Sequence, residues 1–168
     1  MGGLKDILLR LHAHDCQFVL IGGFGAVAWG SSIATRDVDV ACDMSPANLR
    51  RVWLALAELA PRHRMGSGRP LFTEEDAARD GWKNLYLATR NGQIDLLGEV
   101  KGIGGFQECL SRSAPITLDG KEIRILSLEA MIQAKRSMGR PKDLQTVMEL
   151  EVVRERLGDG SSPGSGEV

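Results

Sequence analysis

Asp37 and Asp39 stand two residues apart in the segment Asp-Val-Asp-Val-Ala-Cys, where Val38, Val40 and Cys42 alternate with Asp37, Asp39 and Ala41. On a strand, that alternation buries one face and sends both carboxylates to the other. Two carboxylates so close repel each other unless they jointly bind one or two divalent cations. A third acid, Asp95, sits between Ile94 and Leu96 in a later β-forming run. Ahead of the acidic pair, Phe18 to Ile21 leads into Gly22 and Gly23. A glycine pair at the end of a buried strand lets phosphate oxygens approach the backbone, and the N-terminus of a following helix favours their charge. Metal and phosphate would meet at one place.

The elements that must position these groups can be read from periodicity. Leu4, Ile7, Leu8 and Leu11 recur at helical spacing and predict a first amphipathic helix from Leu4 to His14. Phe18 to Ile21 reads as a buried strand that turns at the glycines, with a short helix from Gly25 to Trp29. Ser45 is placed to cap a helix with Pro46 in its first turn and an apolar stripe of Leu49, Trp53, Leu56 and Leu59, closed by Pro61. The stretch 62–81 reads as a loop with one helical piece near Glu74 to Arg79. Leu85 to Thr89 and Gln93 to Leu97 flank Asn91-Gly92, a strong hairpin signal, and Ile116 to Leu118 meets Ile123 to Ile125 across Asp119-Gly120. Ser127 caps a helix to Met138, Gly139 stops it, and Pro141 opens a last helix to about Leu157. The expectation is one domain over 1–157, helical from about 127, with a disordered Gly- and Ser-rich tail at 158–168.

Composition narrows the function classes. The 168 residues are 43% apolar, enough for one core. A formal charge of −1 gives no global field toward nucleic acid or an anionic membrane. Cys16, Cys42 and Cys109 lack the spacing of a zinc site or disulfide framework and read as buried thiols. No stretch reads as a signal segment or membrane span, so a cytoplasmic location is expected. His12, His14 and His63 do not share a helical face with carboxylates at ligand spacing, and they read as solvated surface.

The Gly22-Gly23 pair, the segment 24–36 and Asp37-Val38-Asp39, followed by Ile94-Asp95-Leu96 after a hairpin, resemble the nucleotidyltransferases related to DNA polymerase beta. Ser127-Leu128-Glu129-Ala130 and the run Lys135 to Asp143 look like the helical segment of small bacterial members, including those of the abortive-infection and toxin-antitoxin type. The resemblance implies an α/β (α+β) nucleotidyltransferase fold, with a mixed, mostly antiparallel sheet, helices on one side and a C-terminal helical pair. It implies transfer of a nucleoside monophosphate from a triphosphate to an acceptor hydroxyl, with two Mg2+ held by Asp37, Asp39 and Asp95. Gly22, Gly23, Ser31 and Ser32 would cradle phosphates, and Arg36, Lys135, Arg140 and Lys142 would contact the nucleotide. The acceptor could be a small molecule, a transfer-RNA end or a protein, recognised by the last two helices, the 62–81 loop or a second subunit. A homodimer or a toxin-antitoxin partner fits that pattern.

Other readings stay open at the level of sequence. An Asp-x-Asp can be a solvated strand face, Gly22-Gly23 a bare turn, and the basic run an exposed helical face. Phe24, Trp29, Trp82 and Tyr86 would each stack on any base. Gly23 to Ala28 also matches G-x-G-x-x-A, but Gly30, Ser31 and Ser32 interrupt the helix and hairpins replace the repeated βαβ units of a dinucleotide fold. A catalytically silent module with this fold, or a nucleic-acid binder working through the basic helix, are the rival classes.

Overall fold

The computed structural model describes residues 2–158. Helix α1 (Gly2–Ala13) leads to strand β1 (Phe18–Ile21), α2 (Gly22–Ala28), β2 (Asp37–Cys42) and α3 (Pro46–Leu56). Strands β3 (Arg62–His63), β4 (Asn84–Thr89) and β5 (Gly92–Leu97) follow, with the short helix α4 (Glu74–Ala78) between β3 and β4. Next come β6 (Glu99–Val100), β7 (Gly104–Gly105), α5 (Phe106–Ser111), the hairpin β8 (Ser113–Leu118) and β9 (Lys121–Leu126), and finally α6 (Leu128–Met138) and α7 (Pro141–Leu157). The main sheet has the order β3-β4-β5-β2-β1-β9-β8, and β6 pairs only with β7. Of its neighbouring pairs, β1 with β9 and β2 with β5 run parallel, and the others run antiparallel. The sheet is therefore mixed and mostly antiparallel, as expected of an α+β chain.

Local chemistry explains most boundaries. Ser45 caps α3 through the Asn48 amide, and Pro46 occupies its first turn. Thr73 and Asp76 form a reciprocal capping box at α4. Ser127 caps α6, and Gly139 ends it in the left-handed conformation at φ 69°. Val38 and Val40 of β2, Leu20 of β1 and Ile94 and Leu96 of β5 are fully buried. Leu4 and Ile7 of α1 approach the Gly92 end of the Ile94 face, so α1 covers the face opposite the carboxylates. Together with α6, the segment around Ile21 and Gly22 borders the carboxylate face.

Several expectations change. Instead of turning at the glycines and resuming as a helix at Gly25, the chain enters α2 at Gly22, because the positive φ of 67° there makes the whole change of direction in one residue. The 62–81 segment is not only loop and helix, since β3 pairs with β4. Two residues carry no periodicity by which to find such a strand. His63 is not solvated surface: its Nε2 lies 3.2 Å from Asp76 and its ring stacks on Trp82 with centroids 5.7 Å apart. Phe24 and Trp29 are core residues at 1% and 4% exposure, and Trp29 donates to the Leu126 carbonyl, so neither is available to stack on a base. All three cysteines are buried free thiols. The tail expected to be disordered lies outside the described residues beyond Gly158. Among the described residues no helix is long and apolar enough to cross a membrane.

Candidate active site

Sheet register builds the acidic centre. Asp39 of β2 pairs with Asp95 of β5, and Asp39 also faces Ile21 of β1 while Asp95 faces Tyr86 of β4. Partners across a sheet present side chains to the same face, so these residues form one row, and Asp37, two positions earlier on β2, shares its face. One carboxylate oxygen from each of Asp37, Asp39 and Asp95 lies within 4.8 Å of the others. Strand alternation thus brings together all three acids singled out in the sequence.

Gly22 makes this packing possible. A Cβ there would collide with the Asp39 carboxylate, and the residue's φ is one that L side chains rarely adopt. At Gly23 a Cβ would press on the Thr35 hydroxyl, 2.8 Å away. Thr35 in turn donates to the Asp37 carbonyl at 3.1 Å and contacts its carboxylate at 3.2 Å. The glycine pair is therefore first a space for the acids.

Burial and crowding raise Asp39 from 3.8 to about 6: desolvation is the main cause, the charges of Asp37 and Asp95 add to it, and Lys135 and the Gly23 amide oppose it. Asp95 is also raised, mainly by burial, against the lowering effect of Arg64. Arg64 is a residue that sequence reading passed over. Its guanidinium pairs with Asp95 and reaches the Gln93 side-chain oxygen, and it lies 5.8 Å from the Tyr86 ring centroid. Its Nε is buried without a hydrogen-bond partner. No local sequence signal marks it, because the β3–β4 pairing that carries position 64 to the edge of the acidic row rests on a two-residue strand.

Beside the acids lies a polar cavity of about 290 Å3 whose lining includes Gly23, Ser31, Thr35, Lys135, Arg140 and Lys142. Three of the four cations named from sequence border it; Arg36 is exposed and does not. The buried carboxylate of Asp143 holds Lys135 Nζ at 3.1 Å and Arg140 Nε at 2.6 Å. Burial works against ionising Asp143, but the hydrogen bonds from Arg140 and Lys135 prevail and lower its pKa. Asp143 was within the basic run read from sequence but had no role assigned to it. Ser31 and Ser32 are already engaged: their hydroxyls donate to Glu149 at 2.6 and 2.7 Å, and the Ser32 amide donates at 2.9 Å. They fasten the 30–35 loop to α7.

A second cavity, of about 280 Å3, meets Asp39 and Asp95 but not Asp37, extends toward Leu97 at the other end of the acidic row, and is lined largely by apolar side chains. A larger cavity, about 690 Å3, lies elsewhere, between Met44, Trp82 and Phe106, and contains none of the three aspartates. Size alone is a poor guide here, because the convergent polar groups are at the smaller pair.

Comparison with solved structures decides the architecture. The chain superposes on lincomycin-bound LnuA, a lincosamide antibiotic adenylyltransferase, with a TM-score of 0.62 over 92% of this chain and 98% of that one, at 16% identity. The chain has the nucleotidyltransferase fold. TM1012 of Thermotoga maritima, a candidate nucleotidyltransferase, also matches this fold, with a TM-score of 0.54 over 90% of this chain and 91% of that one, at 18% identity. Neither family models nor curated protein sequences give a match. Within the nucleotidyltransferase fold, the Asp39–Asp95 row lies on the two central parallel strands, and the basic cavity opens at the junction of α6 and α7.

Proposed function

We propose that this protein is a magnesium-dependent nucleotidyltransferase that moves a nucleoside monophosphate from a triphosphate to an acceptor hydroxyl, releasing pyrophosphate. The observation that carries this reading is the convergence of Asp37, Asp39 and Asp95 within 4.8 Å beside a cavity bordered by Lys135, Arg140 and Lys142. The donor set fits the metal: three oxygen ligands, crowded enough that Asp39 resists ionising alone, suit a small hard dication. Asp37 and Asp39 would hold both ions and Asp95 one of them. When bound, the ions neutralise the triphosphate and stabilise charge on the entering and leaving oxygens.

The remaining work falls to the chain. Lys135, Arg140 and Lys142 attract the β and γ phosphates, and Asp143 fixes the first two of these cations so that little ordering is needed when the nucleotide arrives. Gly23 lets a phosphate oxygen approach the start of α2. Arg64 balances Asp95 before loading and is positioned beside the reacting centre. Because positioning and electrostatics supply most of the rate in such a reaction, loss of one acid should be severe.

The test is incubation of the full chain with each labelled nucleoside triphosphate, Mg2+ and a cell extract, measuring pyrophosphate and the fraction that takes up label. Label transfer by the wild type and its loss in Asp39→Asn support the reading. Binding of nucleotide without any pyrophosphate release indicates a silent module.

A further inference from the structure

The two cavities at the acids differ in chemistry. Asp39, Asp95, Lys135 and Arg140 border both. Beyond those shared residues the first is polar, with Gly23, Thr35 and Lys142 among its lining. The walls of the second are Ile21, Tyr86, Leu97, Val100, Met131 and Ala134, with the exposed Lys101 and the half-exposed Met138 at its rim.

We infer that the apolar chamber is the acceptor's site, and that the acceptor presents its hydroxyl on a compact, uncharged, largely apolar group. The inference rests on the nucleotidyl-transfer reading and adds the acceptor class to it. A triphosphate is drawn to the basic cavity, which places its α-phosphorus at the shared carboxylates. Phosphoryl transfer requires the entering and leaving oxygens to lie in line. As the acceptor oxygen bonds to the α-phosphorus, the bond to the α,β-bridging oxygen breaks. Pyrophosphate then leaves with that electron pair toward Lys135, Arg140 and Lys142, and the hydroxyl proton passes to Asp95. The acceptor must therefore approach from the side opposite the basic cavity, which is where the apolar chamber opens.

Its walls also argue against a polyanion. The phosphodiesters of an RNA end would compete with the triphosphate for Lys135 and Arg140, meet Lys101 only at the rim, and lie otherwise beside Asp39 and Asp95 and against apolar surface. A volume of about 280 Å3 is near the lower bound for ligand pockets and admits a ring or one end of a larger molecule.

The probes are 2-phenylethanol and cyclohexylmethanol as apolar alcohols, adenosine as a free nucleoside, the RNA trinucleotide CpCpA, and a non-hydrolysable ATP analogue with Mg2+. The full chain carries methyl-13C methionine, and Met131→Leu and Met138→Leu assign the two chamber signals. The alcohols should shift Met131 and Met138 saturably with the ATP analogue still bound. Filling the chamber by Ala134→Trp should raise the alcohol dissociation constant roughly tenfold, as loss of two buried methylenes would, and leave that of the analogue unchanged. Met138→Trp, at the exposed rim, provides a second variant with little risk to folding. If adenosine or CpCpA moves the chamber methyls and the alcohols do not, or if none of the probes moves them, the inference is overturned while triphosphate binding still stands. Failure of the Mg2+-loaded non-hydrolysable analogues of all four nucleoside triphosphates to bind overturns the nucleotidyl-transfer reading and the inference with it.

Discussion

The anions and the cations of this site are held in different ways. Asp37, Asp39 and Asp95 are fixed by the ladder of two adjacent parallel strands, where register alone decides which side chains meet. Lys135 and Arg140 come from the end of one helix and the start of the next, and are fixed by a single buried acid, Asp143. Like charges are thus forced together by backbone hydrogen bonds, whereas the mobile basic side chains need a counter-charge. The acidic centre should be rigid and sensitive in its chemistry, and the basic side more sensitive in nucleotide affinity.

The largest effect expected on this comparison is at Asp39. Asp39→Asn should lower turnover by roughly two or more orders of magnitude, the scale of losing a key electrostatic group, measured as pyrophosphate release. Asp143→Ala should act on affinity first. With Lys135 and Arg140 unmoored, KM for the triphosphate should rise about tenfold while kcat falls less. The same variant should lower Tm, since part-buried Lys135 loses the carboxylate it is paired with.

Asp39→Asn should also stabilise the metal-free protein in a pH-dependent way. Because the folded-state pKa of about 6 is above the ordinary 3.8, ionised Asp39 weakens the fold above about pH 6, and this weakening fades as pH falls from 6 toward 4. The gain in Tm should be greatest near pH 8, where the shift amounts to at most about 3 kcal/mol, and should shrink toward about pH 5. Added Mg2+ should raise the Tm of the wild type and not of the variant. Arg64→Gln removes the counter-charge at Asp95, so Mn2+ should bind several-fold more tightly in calorimetry without nucleotide. Smallest of all, Ser32→Ala leaves Ser31 and the backbone amide on Glu149, and should change KM less than twofold by the weight of one exposed hydrogen bond.

The acidic side could be read from the chain because each of its signals is local. Alternation in 37–42 fixed the face of two acids, and Asn91-Gly92 fixed the hairpin that carries the third. The capped helices α3 and α6 were likewise written in Ser45-Pro46 and Ser127. What escaped depends on contacts between distant segments. Arg64 reaches Asp95 only through a two-residue strand, His63 is half-buried against Trp82 and Asp76, and Glu149 takes the two serines from more than a hundred residues away. Gly22 was recognised, but the reason for a glycine there is the Asp39 side chain packed against it, a neighbour that only the fold supplies.

The central claim is that the three acids act as one metal site for nucleotide transfer. Crystals of the full chain grown with Mn2+ and a non-hydrolysable triphosphate analogue test it directly by anomalous scattering. The account predicts Mn2+ peaks bonded to oxygens of Asp37, Asp39 and Asp95, with the triphosphate tail against Lys135, Arg140 and Lys142. Manganese bound elsewhere on the chain, or an Asp95 still locked to Arg64 and outside the coordination sphere, would contradict it.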